Sequence, residues 1–430
     1  MVKIAFVSQP RDPLAAAEAQ HGSVATVLWE LATRIARRYE TMVFAPRAPG
    51  QAAEESYGST LGIYRVPAWR SLHKALDLGT GILGWRSPYF ASSAYFREYG
   101  VAVARALKRY RPDIVHLQNH SQFLPLFRSA VPRAQLIIQV HDELHSLLPV
   151  EPVRARLRDV TAIVTPSEFV TRRLEGRLSY LAGRIHTIGN GVDTATFRPA
   201  RRNCEADGGA LRILYVGRVS PEKGVHKLAE AFRQLLGSEE RFELDIAGSA
   251  GLLPLAQVKL LANDPHMAAL ECFYGRGLWG AIDKQLLHAG TGYRCIIESL
   301  LPCGSRDRVR FLGQLSRDAL MRVYHRADVL VIPSLCEEPF GLPIAEGMAC
   351  GLPCIASKAG GIPEIVEHEV TGILLERGDT AALTAALRRL ALDPAARERF
   401  GRLGRERAER LFDWSLPAAR LTALYQRLLA

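Results

Sequence analysis

Short apolar runs rich in β-branched residues alternate along this chain with longer amphipathic stretches. Because parallel strands need crossover connections, which are usually helices, this alternation predicts parallel sheets covered by helices on both faces. The runs form two successive series. They occupy residues 2–7, 41–45, 113–117, 135–140 and 162–164, and then residues 212–216, 243–247, 309–312, 329–332 and 353–356. We therefore predict an α/β chain with two Rossmann-like, doubly wound parallel-sheet domains.

The boundary between the two series lies in a turn-rich segment, residues 190–199, which a polar stretch at 201–209 follows. A chain of 430 residues also exceeds what one hydrophobic core usually serves. We expect an N-terminal domain at residues 1–195, a C-terminal domain at 196–414 and a final helix at about 415–430.

The composition is that of a soluble globular protein, with 48% hydrophobic and 23% charged residues. Its apolar runs fall short of the roughly 18 residues that span a bilayer. The N-terminal run ends too early, at Ser8, for a signal peptide. The seven cysteines are odd in number and lack a repeated metal-ligand spacing. We therefore expect reduced thiols and a cytoplasmic location, with a structural zinc site as the alternative.

The formal net charge is +11, and residues 1–195 carry 24 Lys and Arg against 16 Asp and Glu. A basic face of this kind suits anionic lipid, phosphorylated ligands or nucleic acid. No nucleic-acid-binding motif accompanies it, so we expect no nucleic-acid partner. The alternative is an Arg-rich solvated surface.

Residues 69–90 mix aromatic, aliphatic and basic side chains. These are Trp69, Leu72, Leu76, Trp85, Tyr89 and Phe90, with Arg70, Lys74 and Arg86 among them. Such a mixture is typical of a surface at a membrane interface and predicts a peripheral contact at the inner membrane face. The alternative is a loop and helix packed on their own domain.

The residues that follow the predicted strands are nearly all small or polar. They are Ser8, His120, His141, Thr165 to Ser167, Gly217, Arg218, Gly248, Gly313, Pro333, Ser334 and Ser357. In open α/β sheets ligands bind beyond the carboxyl ends of the strands, where small residues leave room and helix N-termini offer backbone amides. We expect two such rims to face each other across a cleft.

The most specific motif, residues 333–346, places a strand end, a glycine-containing loop and a helix start in succession. At the helix start, a diphosphate oxygen can be held by the backbone amides of Phe340, Gly341 and Leu342. Glu338 and Glu346 lie eight residues apart, and carboxylates beside an anion site are favourable only when neutral donors such as sugar hydroxyls bind them. Alternatively, both carboxylates offset the helix dipole.

This Glu-x7-Glu segment resembles an element of the family 4 retaining glycosyltransferases. Their GT-B fold consists of two Rossmann-like domains that face each other across a cleft. The resemblance implies that Glu338 contacts the donor sugar and that Glu346 contacts the ribose. Residues 215–224 resemble the donor-phosphate element of the same family, which implies that Arg218 and Lys223 hold the diphosphate.

The same resemblance assigns roles to further residues. His141, after a predicted strand, resembles the family's active-site histidine. The predicted catalytic residues are His141, Arg218, Lys223 and Glu338. The other predicted donor-binding positions are Gly22, Ser23, Gly217 and Leu315. The family's final helix packs on the N-terminal domain, which implies packing roles for Trp414 and Tyr425.

Two features depart from the family's pattern. Ser23 stands where the family commonly has the second of two paired glycines, which alters how closely the first loop approaches a ligand. Between Gly248 and Val309 the chain is longer than one helix requires. Residues 252–290 are therefore interpreted as an insertion of unknown role.

These observations predict a retaining hexosyltransferase whose donor is a nucleotide-diphosphate sugar, with uridine as the expected base. We expect the acceptor to be a hydroxyl, and a glycolipid, a polysaccharide precursor and a small metabolite remain open as its source. No Asp-x-Asp occurs in the sequence, and this is the usual carboxylate pair of a metal-bound donor, so we expect neither a metal nor another cofactor. The alternatives are a GT-B sugar-nucleotide epimerase and a non-catalytic nucleotide-sugar binding protein.

Overall fold

The computed structural model describes residues 1–12, 14, 22–82, 88–200, 209–237, 241–274 and 291–430. The chain forms two compact units. Met1–Gly191 and Trp414–Ala430 make up the N-terminal unit, and Val192–Asp413 makes up the C-terminal unit. Two residues singled out in the sequence, Trp85 and Arg86, lie outside the described residues, and so do residues 275–290 of the predicted insertion.

The N-terminal unit contains a sheet with the strand order β3-β4-β2-β1-β5-β6-β7-β8. Its strands are β1 (Lys3–Val7), β2 (Glu40–Pro46), β3 (Glu54–Tyr57), β4 (Leu61–Val66), β5 (Ile114–Gln118), β6 (Gln135–Gln139), β7 (Ala162–Thr165) and β8 (Ile185–Thr187). Only the pairing of β3 with β4 is antiparallel. The strand order reverses between β1 and β5, where the connections leave the sheet in opposite directions.

Helices cover this sheet. They are α1 (Ser23–Ile35), α2 (Arg70–Ile82), α3 (Arg97–Tyr110), α4 (Leu124–Ala130), α5 (Leu144–Leu147), α6 (Val150–Leu157), α7 (Glu168–Arg177) and the C-terminal helix α17 (Ser415–Leu429). Trp414 and Tyr425 are buried in this unit, and Tyr425 Oη lies 2.5 Å from Nδ1 of His116 on β5.

The C-terminal unit contains a parallel sheet with the order β11-β10-β9-β12-β13-β14. Its strands are β9 (Leu211–Val216), β10 (Phe242–Ala247), β11 (Val309–Gly313), β12 (Val329–Ile332), β13 (Cys354–Ser357) and β14 (Gly372–Leu375). Its helices are α8 (Val225–Leu235), α9 (Leu255–Leu261), α10 (Pro265–Ala268), α11 (Thr291–Leu300), α12 (Arg317–Arg326), α13 (Leu342–Ala349), α14 (Ile362–Ile365), α15 (Thr380–Leu392) and α16 (Pro394–Leu411).

Each sheet has a central strand that is shielded from solvent, β5 in the N-terminal unit and β12 in the C-terminal unit. Every residue of β5 and of β12 is buried, because helices on both faces leave no solvent-facing side. In the C-terminal unit the strand order reverses between β9 and β12. In open α/β sheets, ligands bind at the carboxyl ends of the strands on either side of such a reversal.

The predicted fold class, two Rossmann-like parallel-sheet units, is confirmed, and each predicted apolar run overlaps an observed strand. The sequence analysis did not predict β3, β4, β8 and β14. Three of these lie at sheet edges, where one side of the strand lacks a partner and a continuous apolar run is not required. The fourth, β4, is interrupted by Arg65, whose buried guanidinium donates to the carbonyl oxygen of Leu14.

None of the helices in the described part of the chain is both long enough and apolar enough to cross a membrane.

Candidate active site

The loop after β9 holds Arg218 against a buried carboxylate. Nη2 of Arg218 donates to Oε1 of Glu222 at 2.6 Å, and the Ser220 hydroxyl donates to the same oxygen at 2.6 Å. Glu222 is wholly buried in the 3₁₀ turn Pro221–Lys223, and a buried carboxylate requires such partners. Burial opposes the charge on Arg218, but Glu222 outweighs this effect and raises the pKa of Arg218. The guanidinium is therefore charged and fixed in orientation.

Lys223 ends the same turn and reaches the loop that follows β12. Its Nζ donates to Oε1 of Glu338 at 2.7 Å, and the Ser334 hydroxyl donates to the same oxygen at 2.5 Å. Burial would raise the pKa of Glu338, but the Lys223 ammonium and these hydrogen bonds outweigh it and lower that pKa. Burial likewise opposes the charge on Lys223, and Glu338 raises the pKa of Lys223 above its usual value. Both partners are thus ionised, and the pair links two loops.

Two glycines allow the loops around Glu338 to approach at backbone distance. Gly224 has a φ of +71°, and a Cβ atom there would lie 1.9 Å from the carbonyl oxygen of Pro333. Gly360 has a φ of +55°, and a Cβ atom there would lie 2.2 Å from the carbonyl oxygen of Glu338. Because backbone atoms cannot swing aside as a side chain can, these two positions require glycine.

Helix α13 begins directly after the Glu338 loop. Gly341 is its N-cap, with a φ of +120°, and Pro343 lies in its first turn. The first amides of a helix have no acceptor within the helix, so this end offers donors to an anion at the carboxyl end of β12. The Phe340 ring packs against Phe412 with 6.0 Å between ring centroids, so Phe340 can reach an anion only through its backbone. Leu342, the first residue of the helix, is half-buried.

Glu346 lies one turn into α13 and is half-buried. The hydroxyl of Tyr324, a wholly buried residue of α12, donates to its Oε2 at 2.8 Å. Burial raises the pKa of Glu346 to about 7, although Tyr324 and Arg317 act in the opposite direction. Glu346 is therefore close to half-protonated at neutral pH. Leu315 lies just before α12 and packs on the core cluster that contains Tyr324.

In the N-terminal unit, His141 directly follows Val140 at the end of the β6 segment. Its Nε2 donates to Oε1 of Gln118 at 2.5 Å, and its backbone amide donates to Oδ1 of Asn119 at 2.8 Å. Burial lowers the pKa of His141 to about 3, so the imidazole is neutral at physiological pH. A neutral ring that donates through Nε2 keeps Nδ1 as a hydrogen-bond acceptor.

Gly22 and Ser23 lie at the N-terminus of α1 in the same unit. Gly22 is the N-cap, with a φ of +101°, and Ser23 is the exposed first residue of the helix. The loop that precedes them, with Gln20 and His21, lies outside the described residues.

The structure brings most of the predicted donor-binding residues of the C-terminal unit to the carboxyl ends of its strands. Gly217, Arg218 and Lys223 follow β9, and Glu338 and Glu346 follow β12. Lys223 and Glu338 are in direct contact. Gly22, Ser23 and His141 belong to the N-terminal unit.

The sequence analysis did not assign a supporting role to the residues that hold the predicted ones in place. Glu222 and Ser334 lie inside segments that it had singled out. Each stands four residues from its partner, Arg218 or Glu338, and this short spacing could have indicated the contacts. Tyr324 contacts Glu346 from another helix, and Tyr274 contacts Glu222 across 52 residues of sequence. No local pattern indicates either of these contacts.

Two family models match adjoining parts of the chain. The model described as Glycosyltransferase Family 4 matches residues 24–196, and the model described as Glycosyl transferases group 1 matches residues 197–407. The spore coat protein SA of Bacillus subtilis is 24% identical over 99% of this chain and 100% of that protein.

Solved structures of similar fold include sucrose-phosphate synthase from Thermosynechococcus elongatus. It is 22% identical, with a TM-score of 0.73 over 100% of this chain and 99% of that one. Anabaena HepE in complex with UDP-glucose is 19% identical, with a TM-score of 0.65 over 99% of this chain and 100% of that one. At such identities these likenesses show the fold alone.

Proposed function

Because this chain is a glycosyltransferase of the GT-B type, we propose that it transfers a hexose from a UDP-sugar to an acceptor hydroxyl with retention of anomeric configuration. The UDP-glucose complex of HepE, a protein of the same fold, supports uridine as the base.

The paired charges at the ends of β9 and β12 are the observation that carries this proposal. When the bond between sugar and diphosphate breaks, negative charge grows on the leaving group, and preorganised donors stabilise that charge. Arg218 and Lys223 are charged and oriented by their carboxylate partners, and the N-terminus of α13 adds backbone amides. Together they can neutralise the leaving diphosphate without a metal ion.

Retention needs either a covalent intermediate or attack on the face from which the leaving group departs. The carboxylates nearest the cations are engaged, Glu222 by Arg218 and Glu338 by Lys223, which disfavours either as a nucleophile. We therefore propose that the leaving diphosphate itself accepts the proton of the acceptor hydroxyl. His141 is proposed as a catalytic residue on the strength of the family resemblance and its neutral ring.

Incubation with a panel of nucleotide sugars, with and without candidate acceptors, tests this function by mass spectrometry. A transferase yields a glycosylated acceptor only when an acceptor is present. An epimerase would alter the sugar or release it without an acceptor, and a binding protein would form no product. Nuclear magnetic resonance of the new glycosidic bond tests retention, because an inverted anomeric centre would refute it.

Metal independence is tested separately. Turnover in excess EDTA should equal turnover in untreated enzyme. A loss of activity that Mg²⁺ or Mn²⁺ restores would contradict the metal-free mechanism, whereas the transferase assignment would stand.

Helix α2 supports a membrane-presented acceptor, because its apolar stripe faces outward. Trp69, directly before the helix, and Leu72 and Leu76 within it are 60%, 49% and 41% exposed. Their spacing places them along one side of the helix. Lys74, between them in sequence, is also exposed. A helix that packs only on its own unit would bury such a stripe.

A neighbouring side of α2 carries polar residues that face inward. Nε2 of His73 lies 3.0 Å from a carboxylate oxygen of Glu98, and Arg11 donates to Oδ2 of Asp77 at 3.1 Å. Both His73 and Asp77 are buried. The orientation of α2 is therefore set by polar contacts, and these contacts leave its apolar stripe free to face a lipid surface.

We propose that this stripe docks on anionic lipid, where a lipid-linked acceptor is presented, and that the basic excess of residues 1–195 supplies the long-range attraction. Sedimentation with anionic and neutral liposomes at low and high salt is the test. The double variant Trp69→Ser and Leu72→Ser should lose binding. The control variant Leu392→Ser lacks an exposed leucine of the C-terminal unit and should still bind the liposomes. Absence of binding at low salt, or efficient transfer to a small soluble acceptor, would overturn this proposal.

A further inference from the structure

Residues 252–274 are the described part of the predicted insertion and lie between β10 and α11. They contribute to a small hydrophobic cluster of their own. Its buried members are Val258, Met267, Leu270, Tyr274, Leu335 and Cys336. The last two belong to the loop that leads from β12 to Glu338. The insertion therefore packs directly against the loop that carries Glu338.

A hydrogen-bond chain connects this segment to Arg218. The wholly buried Tyr274 donates its hydroxyl to Oε2 of Glu222 at 2.7 Å, and the other oxygen of the same carboxylate accepts from Arg218. Burial and the Glu222 charge raise the pKa of Tyr274 far above its usual value, so the hydroxyl remains a donor at any physiological pH. Because Tyr274 donates to one oxygen of Glu222, the carboxylate requires a hydrogen bond from Arg218 only at its other oxygen.

A second connection runs through Arg377, which follows β14. Its Nη1 donates to Oδ2 of Asp264 in the insertion at 2.6 Å and to the carbonyl oxygen of Leu335 at 3.0 Å. Its Nη2 lies 3.5 Å from Oε1 of Glu337, and Glu337 also accepts the backbone amide of Gly360. Asp264 therefore supports the loop immediately before Glu338.

We infer that the insertion is a positioning element for donor binding, in which Tyr274 fixes Arg218 through Glu222 and Asp264 fixes the Glu338 loop through Arg377. The inference rests on the proposed function, where Arg218 holds the diphosphate and Glu338 contacts the sugar. Without the Tyr274 hydroxyl, one buried carboxylate oxygen of Glu222 would lack its donor. Glu222 would then compete with the diphosphate for the remaining N–H groups of Arg218.

Tyr274→Phe should weaken UDP binding about tenfold in calorimetric titration, the effect of one lost hydrogen bond to a buried charged group. Tyr293→Phe is the matched control. Tyr293 is also buried, and its hydroxyl contacts Nδ1 of His226 at 2.8 Å rather than the donor site. Both variants should lower the melting temperature, but only Tyr274→Phe should change the affinity for UDP. Unchanged UDP affinity in folded Tyr274→Phe protein would refute the positioning role.

A double-mutant cycle separates this inference from the proposed function. If Tyr274 acts through Arg218, the substitution Tyr274→Phe should have little effect on UDP affinity in an Arg218→Ala background. Additive effects would mean that Tyr274 acts by another route, and the inference would fail. If Arg218→Ala alone leaves UDP binding intact, the proposed donor site fails instead.

Asp264→Asn tests the second connection and preserves the side-chain shape. Free UDP should lose less affinity than the UDP-sugar, whose KM should rise about fivefold, because Arg377 supports the loop at Leu335 and Glu337, next to the proposed sugar contact Glu338, whereas Arg218 holds the diphosphate from the other loop. This test does not depend on whether Tyr274→Phe folds. An unchanged KM for the UDP-sugar, or an equal loss for free UDP, would overturn the role assigned to Asp264.

Discussion

The two units share one architecture but hold the polar groups at their strand ends in different ways. In the C-terminal unit these groups are charged and paired, Arg218 with Glu222 within one loop and Lys223 with Glu338 across two loops. The pairing keeps each cation ionised and oriented, although Arg218 is exposed and Lys223 is half-buried.

In the N-terminal unit, burial instead keeps the histidines at the strand ends uncharged. Burial lowers the pKa of His120 and of His141 to about 3 and that of His145 to about 4, and it raises the pKa of Asp142 to about 6. The histidines at these strand ends are neutral at physiological pH, whereas Asp142 stays largely ionised, so the rim presents neutral imidazoles and no paired cations.

This difference matches the ligands that we propose. A diphosphate is an anion and gains most from fixed cations, whereas an acceptor hydroxyl is neutral and needs only hydrogen-bond donors and acceptors. Two units of the same fold can therefore carry different chemistry, because the groups at the strand ends decide the site and the sheet only positions them. Four experiments test this contrast.

Removal of one cation should have the largest effect. Arg218→Ala or Lys223→Ala should lower kcat by about 10²–10³, the usual loss when one preorganised charge-stabilising group is removed. Initial rates with a saturating UDP-sugar measure this effect, and circular dichroism checks folding, because each substitution also leaves a buried carboxylate without its cation.

Arg310→Ala is the matched control. Arg310 also forms an ion pair in the C-terminal unit, with its Nε 2.7 Å from Oδ1 of Asp245, but it lies on the edge strand β11 away from the loops of the site. The turnover of Arg310→Ala should stay within about twofold of wild type, since exposed ion pairs contribute little to stability. Turnover within a few-fold of wild type in both site variants would exclude Arg218 and Lys223 from the reaction.

The two carboxylates of the C-terminal unit should respond differently. Glu346→Ala should weaken binding of free UDP about tenfold or more, because the proposed partner of Glu346 is the ribose. Glu338→Ala should impair turnover of the UDP-sugar without weakening the binding of free UDP, since the substitution releases the Lys223 ammonium for the diphosphate. Calorimetric titrations that show the reverse order would contradict both assignments.

Much of this site could be predicted from the sequence because its residues lie in two short segments. Residues 215–224 and 333–346 each follow a buried strand, and apolar runs make those strands recognisable. Arg218 and Glu346 stand at fixed places in these segments. Their positions shortly after recognisable strands therefore indicated that they would lie at the carboxyl ends of those strands.

The supporting contacts could not be predicted, because they join residues that are distant in sequence. Tyr274 reaches Glu222 from a segment that only the tertiary packing brings near. The pKa of Glu346 depends on its burial beside Tyr324 and not on its neighbours in sequence. Likewise, neither charge nor spacing indicated that α2 would turn His73 inward and Leu72 outward.

The pH dependence of donor binding should show the contrast directly. The pKa of Glu346 is raised to about 7, and ribose hydroxyls donate to its ionised form, so affinity should fall as the pH drops. Between pH 8 and pH 6 the affinity for a UDP-sugar should fall about tenfold, because the ionised fraction falls by that factor. Titration calorimetry at several pH values measures this change.

A UDP-sugar suits this measurement because its diphosphate does not itself titrate near neutral pH. Glu346→Gln should give a flat profile. His141, whose pKa is about 3, adds no change in this range. A profile that keeps its slope in Glu346→Gln would assign the pH dependence to another group.

The smallest effect should come from a neutral contact of the N-terminal unit, the one between Tyr425 and His116. Burial lowers the pKa of His116 to about 3, so the contact joins two uncharged groups, and it attaches helix α17 to β5. Tyr425→Phe leaves the ring in place but removes the hydroxyl, and the unsatisfied imidazole nitrogen should cost about 1–3 kcal/mol of stability. The melting temperature should fall by several degrees, while kcat should be unchanged within error because no charge at the strand ends is altered.

Tyr110→Phe is the control with the smaller expected shift in melting temperature, since that hydroxyl donates to the carbonyl oxygen of Glu40 at 3.2 Å and is only partly buried. A loss of kcat without a loss of stability in Tyr425→Phe would show that the neutral contacts of this unit also serve the reaction, and the contrast between the two units would no longer hold.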